Sequence, residues 1–212
     1  MSVLRGQVDR GGNFVSAQMP GEAFLDQTKV YAITTAGAGT LLAAAMVSGC
    51  VERSGPSGNF NETLDTADNM MKQNPQFSPG DSFEFLYRNT VAFTATLVVA
   101  EGAELSGSNT ATAASSARRY LVSILSNAAR QVFNATTTNA SASVTGLTQA
   151  QAATLQPGMG VSGTGITAGT TILAVNYSTG TVTLSAVATA SGTVPLTFFP
   201  RYNIKGLSSA SL

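Results

Sequence analysis

The chain has no histidine, no tryptophan and a single cysteine, and only 10% of its residues are charged. Without histidine, the side chain that most often serves as a general base is missing. Ser-His-Asp and Cys-His arrangements are therefore excluded. A lone Cys50 excludes an intrachain disulfide and a cysteine-based zinc site. The charged share is well below the usual value of about 25%. Disorder would pair high charge with low apolarity. Here hydrophobic residues make up 43%, so a folded chain is expected. Its 212 residues are ample for one β-sandwich, or for a sandwich plus a small second module. Thr, Ser, Ala and Gly fill the charge deficit. Low net charge favours precipitation unless surface is covered, which points to an assembly.

Formal net charge is zero, but the signs are segregated. Glu52, Glu62, Asp65, Asp68, Asp81, Glu84, Glu101 and Glu104 lie together, with Arg53, Lys72 and Arg88 among them. No acid follows Glu104; only Arg118, Arg119, Arg130, Arg201 and Lys205 do. Two readings stay open. The segregation guides the docking of neighbouring subunits, or the two halves fold together and their charges mix. Five scattered cations without interleaved aromatics make no nucleic-acid groove.

Val30 to Val51 is uncharged and ends in Val47-Ser48-Gly49-Cys50, which resembles a bacterial lipoprotein processing site with Cys50 as lipid acceptor. The residues before it include Asp9, Glu22 and Asp26, whereas a signal peptide starts short and basic. Gly37, Gly39 and Gly49 make it a poor membrane span. The alternative is two strands, Ala32 to Thr34 and Leu41 to Val51, around a turn at Ala36-Gly37-Ala38-Gly39. Cys50 is then a small buried hydrophobe.

Breakers shape the rest. Gly6, Gly11-Gly12 and Pro20-Gly21 leave residues 1–28 as an N-terminal arm with apolar anchors. Residues 62–73 hold the one good short helix. Thr63, Asp65 or Thr66 is its cap, Lys72 sits in its last turn, and Leu64, Ala67, Met70 and Met71 form its buried face. Ser82 to Tyr87 and Thr90 to Ala100 read as strands. Ala117 to Ser126 fits a helix or a strand, and its β-branched residues favour the strand. From Gln131 to Pro200 there are 70 residues without a charge. Strand-like runs there alternate with turn signals, as in a small all-β unit. The expected fold class is all-β. A β-sandwich, jelly-roll-like core with one short helix spans residues 29–133, and a second small β module with a C-terminal tail spans 134–212.

Candidate chemistry is thin. Asp65 with Asp68 and Glu101 with Glu104 are carboxylate pairs of the kind glycoside hydrolysis needs. Acids at a helix start and in a solvated loop are the plainer reading. Lys29, Lys72 and Lys205 are the only lysines a Ser-Lys pair would have. No calcium-loop spacing is present, and no Lys-Ser/Thr follows Gly163-Thr164-Gly165 as a phosphate loop requires. Asn61, Asn134, Asn139 and Asn176 match the Asn-x-Ser/Thr pattern at the rate a Ser/Thr-rich chain gives by chance. No enzyme activity, cofactor or metal is expected.

Two segments carry a resemblance. Val51 to Pro56, Glu62 to Ala67, Gly80 to Phe85, Arg88 to Thr90, Ala95 to Leu97, Glu101 to Gly107 and Arg118 to Val122 follow one another in an order similar to a family of phage and marine-virus structural proteins. The chain departs from that pattern at Glu101 and Glu104, and at Ser126-Asn127-Ala128-Ala129-Arg130. Leu155 to Ile166, Ala168 to Ile172 and Thr181 to Ser185 resemble a small β repeat of phage tail, fibre and surface proteins and some bacterial adhesins. The resemblance implies a virion structural protein. Its first form is a capsid decoration or cement protein on the outer surface of the head, bound to the major capsid protein as a homotrimer, with Arg5, Arg10, Phe14 and Phe24 as shell or subunit contacts. Its second is a tail or fibre component that binds host glycan through Tyr177, Phe198, Phe199 and Tyr202. A bacterial surface lipoprotein or adhesin is the third, and it requires a modified Cys50. None of these needs nucleic acid, a membrane or a small-molecule substrate.

Overall fold

The computed structural model describes residues 7–8, 14–15, 29–107 and 110–211. In the arm, β1 (Gln7–Val8) and β2 (Phe14–Val15) pair antiparallel with each other. The main body then runs β3 (Lys29–Ile33), β4 (Gly39–Leu41), α1 (Ala43–Val47), β5 (Gly49–Arg53), β6 (Phe60–Leu64), α2 (Ala67–Gln73), β7 (Ser82–Asn89), β8 (Ala95–Val98), β9 (Ala103–Ser106), β10 (Ala111–Thr112) and β11 (Ser116–Ser126). A second unit follows, with β12 (Gln131–Thr137), β13 (Ser143–Val144), α3 (Gln149–Ala152), β14 (Gly160–Gly163), β15 (Ile172–Asn176), β16 (Thr181–Leu184) and β17 (Gly192–Phe199). The chain ends in β18 (Arg201–Ser211).

The all-β class holds, with two sheets packed over the main core. One sheet is ordered β3-β5-β7-β11-β18-β9 and the other β10-β8-β6-β4. From β3 to β8 the chain steps alternately between the two sheets, and each return lays a strand parallel to the one before. The pairs β3–β5, β5–β7, β4–β6 and β6–β8 are all parallel. This three-rung winding differs from the antiparallel order of a jelly roll. β7, β11 and β18 then pair antiparallel.

Alternation explains which side chains go inside. Phe83, Phe85 and Tyr87 of β7 meet Val122, Tyr120 and Arg118 of β11 in register. Tyr120, Val122 and Ile124 are buried, which settles residues 117–126 as a strand. Phe85 stacks on Tyr120 with centroids 5.4 Å apart, and Phe77 stacks on Phe83 at the same distance.

Several expectations need correction. The run Leu41 to Val51 is not one strand, because Ala43–Val47 form α1. Its alanines have high helix propensity, and the Asp65 carboxylate accepts the Ala43 N–H at 2.9 Å. Leu64 belongs to β6, so α2 begins later, after a Thr66 cap that accepts the Asn69 N–H. A third helix, α3, opens with a capping box between Thr148 and Gln151. Thr90 to Thr94 form a turn instead of a strand. There the buried Asn89 side chain donates to the carbonyls of Phe93 and Ala113.

The largest correction concerns the boundary. Residues 201–211 are not a tail of the second unit. They form β18, which lies between β11 and β9 in the main sheet. Tyr202 and Ile204 alternate into the main core and are fully buried there. The second unit is therefore an insertion between two neighbouring strands. Its own sheets are β12-β17-β14 and β13-β16-β15. They enclose a separate core that includes Val144, Leu155, Met159, Val161, Val182, Leu184, Leu196 and Phe198.

Candidate functional site

Each of the eight acids between 52 and 104 has a partner inside the chain. Glu52 pairs with Arg88 at 2.9 Å and Glu84 with Arg119 at 3.1 Å. Glu62 pairs with Arg53, Glu101 with Arg130 and Glu104 with Arg201; Asp68 lies 3.7 Å from Arg130. Asp65 joins α1 to α2 by accepting N–H groups of Ala43, Thr66 and the Asn69 side chain. Asp81 accepts the Ser78 N–H. The sign segregation is thus a folding device: the halves come together and their charges mix. Asp65 with Asp68, and Glu101 with Glu104, are held by these contacts. Among the described residues, no group of three His, Cys, Asp or Glu is placed to hold a metal. No described helix is long and apolar enough to cross a membrane.

The most organised polar cluster lies inside the main core. Arg53 and Glu62 are completely buried. The Arg53 guanidinium donates to Glu62 and to the carbonyls of Ile33, Thr35, Gly37 and Ser54. It also lies 4.9 Å over the Phe60 ring, within cation–π range. Burial raises the Glu62 carboxyl above its ordinary value, and Arg53 acts against that rise. Burial likewise raises the Tyr87 hydroxyl, with the Glu62 charge adding to it. Glu62 Oε2 and the Tyr87 oxygen are both buried without a geometric hydrogen bond. Gly39 closes this cluster from above. A Cβ there would stand 3.1 Å from Glu62 Oε2 and 3.5 Å from an Arg53 nitrogen.

Arg53 thereby fixes the turn at residues 34–38. That turn walls a surface depression of about 370 Å³, whose other side is Pro56, Gly58 to Asn61 and Thr96. Its lining has no ionisable side chain. Such a hollow can receive a small neutral segment of a partner, but it supplies no acid, base or nucleophile.

The four aromatics expected to stack a sugar do not form one platform. Phe198 is fully buried in the inserted core, 6.2 Å from the Phe133 ring. Tyr202 is fully buried in the main core, and its hydroxyl donates to the Asp65 carbonyl at 2.6 Å. Phe199 is half-buried, with its ring directly over Gly160. Only Tyr177 is exposed. The strand-like runs included Tyr177, Phe198 and Phe199 without showing which face meets a core, and Tyr202 was expected in the C-terminal tail. Of the expected shell contacts, Arg5, Arg10 and Phe24 lie outside the described residues, and Phe14 is described only as part of β2.

Cys50 is the second residue of β5, paired with Val30 and Leu86 on the two flanking strands. It is half-buried, and burial raises its thiol, which opposes reactivity. Cleavage before Cys50 would remove β3, β4 and α1 from the main body. Comparison of the chain with protein-family models, curated proteins and solved structures finds no match.

Proposed function

We propose that this chain is a non-enzymatic structural protein of a virus particle, a decoration or cement protein of the capsid surface. The observation that carries this reading is the commitment of every acid in the main body to an internal pair or cap. Catalysis needs groups held in readiness, whereas these are used to close the fold. The larger sheet keeps the paired charges Glu52–Arg88 and Glu84–Arg119 on its outer face, whereas the smaller sheet and the inserted unit present neutral surface. The outward positions Thr40, Asn61, Thr63 and Thr96 of the smaller sheet are uncharged, and so is the whole inserted unit. A neutral, rigid surface is cheap to desolvate against a shell, and a stable contact needs about 1,200–2,000 Å² in total. Copies of the chain and the major capsid protein are the partners this reading requires.

The test is immunogold labelling of purified particles with antibody to residues 131–200. Label over the whole head is the expected result. Label confined to the tail, or absent from particles, would overturn the reading.

A further inference from the structure

The two cores share no residue. The main core draws on residues 31–124 together with Tyr202 and Ile204, and the inserted core on residues 128–198. Every strand of the inserted unit pairs only within that unit. The chain leaves the main body after Ser126 and re-enters it at Arg201, and these two residues are register partners on β11 and β18. Entry and exit are therefore side by side, as they are at the end of an ordinary hairpin.

The neck between the units has its own contacts. Arg130, just before β12, pairs with Glu101 and Asp68. Arg201, just after β17, pairs with Glu104 and donates to the Gly158 carbonyl at 3.1 Å. Asn127 donates to the Phe77 carbonyl at 2.8 Å. Arg130 thus reaches Glu101 in the turn that joins β8 to β9, and Arg201 reaches Glu104 on β9 itself.

We propose that residues 127–200 are a self-folding module set into the β11–β18 hairpin, and that Glu101 of the β8–β9 turn and Glu104 of β9 form the socket that holds it. The main body forms its sheets without the module's core, and the module forms its core without the main body. The socket fixes the direction in which the module projects through the ion pairs of Arg130 and Arg201, the two cations that flank the charge-free residues 131–200.

The test uses full-length chains and hydrogen exchange read by mass spectrometry along the sequence. Leu184→Asp places a charge in the inserted core, where Leu184 is 1% exposed. The expected result is loss of protection across β12 to β17 with β7, β11 and β18 still protected. Ile124→Asp, in the main core at 1% exposure, is expected to do the reverse. If either substitution abolishes protection in both units, the two fold as one and the proposal is overturned. A third chain, Glu101→Gln/Glu104→Gln, separates socket from fold. Protection is expected to stay in both cores and to fall only at residues 127–130 and 156–160. Unchanged exchange there would remove the socket from the proposal.

Discussion

Replacing Arg53 by methionine removes the centre of the main core's polar cluster. The substitution keeps much of the side-chain volume and deletes the charge. Glu62 is then a fully buried carboxylate with no cation, and the carbonyls of Thr35 and Gly37 lose their donor. Breaking a buried ion pair from one side costs about 3–5 kcal/mol, because the surviving charge stays desolvated. Glu62→Leu, which leaves the guanidinium alone, is expected to cost a similar amount. Independent losses would sum to about 6–10 kcal/mol, comparable to the whole stability of a domain. The double variant Arg53→Met/Glu62→Leu leaves no orphan charge, and exchanges of this kind are often neutral or even stabilising. Here the turn carbonyls still lose their donor, so the double variant is expected to lie about 1–3 kcal/mol below the unaltered chain. The signature is a double variant more stable than either single one. Urea denaturation followed by circular dichroism and tyrosine fluorescence measures all four corners of the cycle. The loss belongs to the main-body transition, since Arg53 touches nothing in the inserted unit. Single variants that each cost under about 1 kcal/mol, the range of a surface pair, would refute the reasoning. So would a double variant at the sum of the two.

Three further outcomes follow from the same geometry. Gly39→Ala presses a methyl group against Glu62 Oε2 at 3.1 Å; overpacking of this kind costs about 1–3 kcal/mol, and thermal unfolding is expected to show it. Glu62 holds its proton more tightly in the folded chain than in the unfolded one, because burial raises its carboxyl above the ordinary 4.5. Its contribution is full below that ordinary value and is lost as pH rises through the higher folded value. The stability advantage of the unaltered chain over Glu62→Gln should therefore grow as pH is lowered from neutral towards about 5, and an advantage that shrinks in acid would contradict this. Gly160→Ala sets a Cβ 2.1 Å from the Phe199 ring; the inserted unit's transition should fall by about 1–3 kcal/mol while the main-body transition is unchanged.

The parts of the fold legible in the sequence are those decided by local rules. The alternation of Phe83, Phe85 and Tyr87, the Thr66 cap and the charge-free stretch from Gln131 all depend on near neighbours. The capping chemistry needs no knowledge of the rest of the chain. The winding between two sheets is not local. A period of two says which residues share a face, but not which strand lies alongside. Cys50 pairs with Leu86 across 36 positions, and nothing near either residue announces it. The buried ion pair, however, did leave a trace. Arg53 follows Val51 at a spacing of two, and Glu62 stands between Phe60 and Leu64 at the same spacing. Both charges therefore occupy inward positions of apolar strands, where a lone charge is not tolerated. Read in that way, the pattern asks for a partner of opposite sign, and the two residues supply each other. Tyr202 and Ile204 likewise repeat at spacing two, the period of a strand, although a tail was expected there.

The segregation of charge along the chain follows from the insertion. Glu101 of the β8–β9 turn and Glu104 of β9 come early in the sequence, and their cations come on either side of a long neutral unit. Glu101 meets Arg130 across 29 positions, and Glu104 meets Arg201 across 97. A charge placed within the inserted unit would compete for these partners, either by drawing an arginine away from the turn or by repelling it. A unit with no charge at all cannot do so, whatever its orientation while the neck forms. Neutrality of residues 131–200 thus leaves the arginines at its two ends free to find Glu101 and Glu104. The composition that looks least informative in the sequence is then what permits two independent cores to be joined in one fixed geometry.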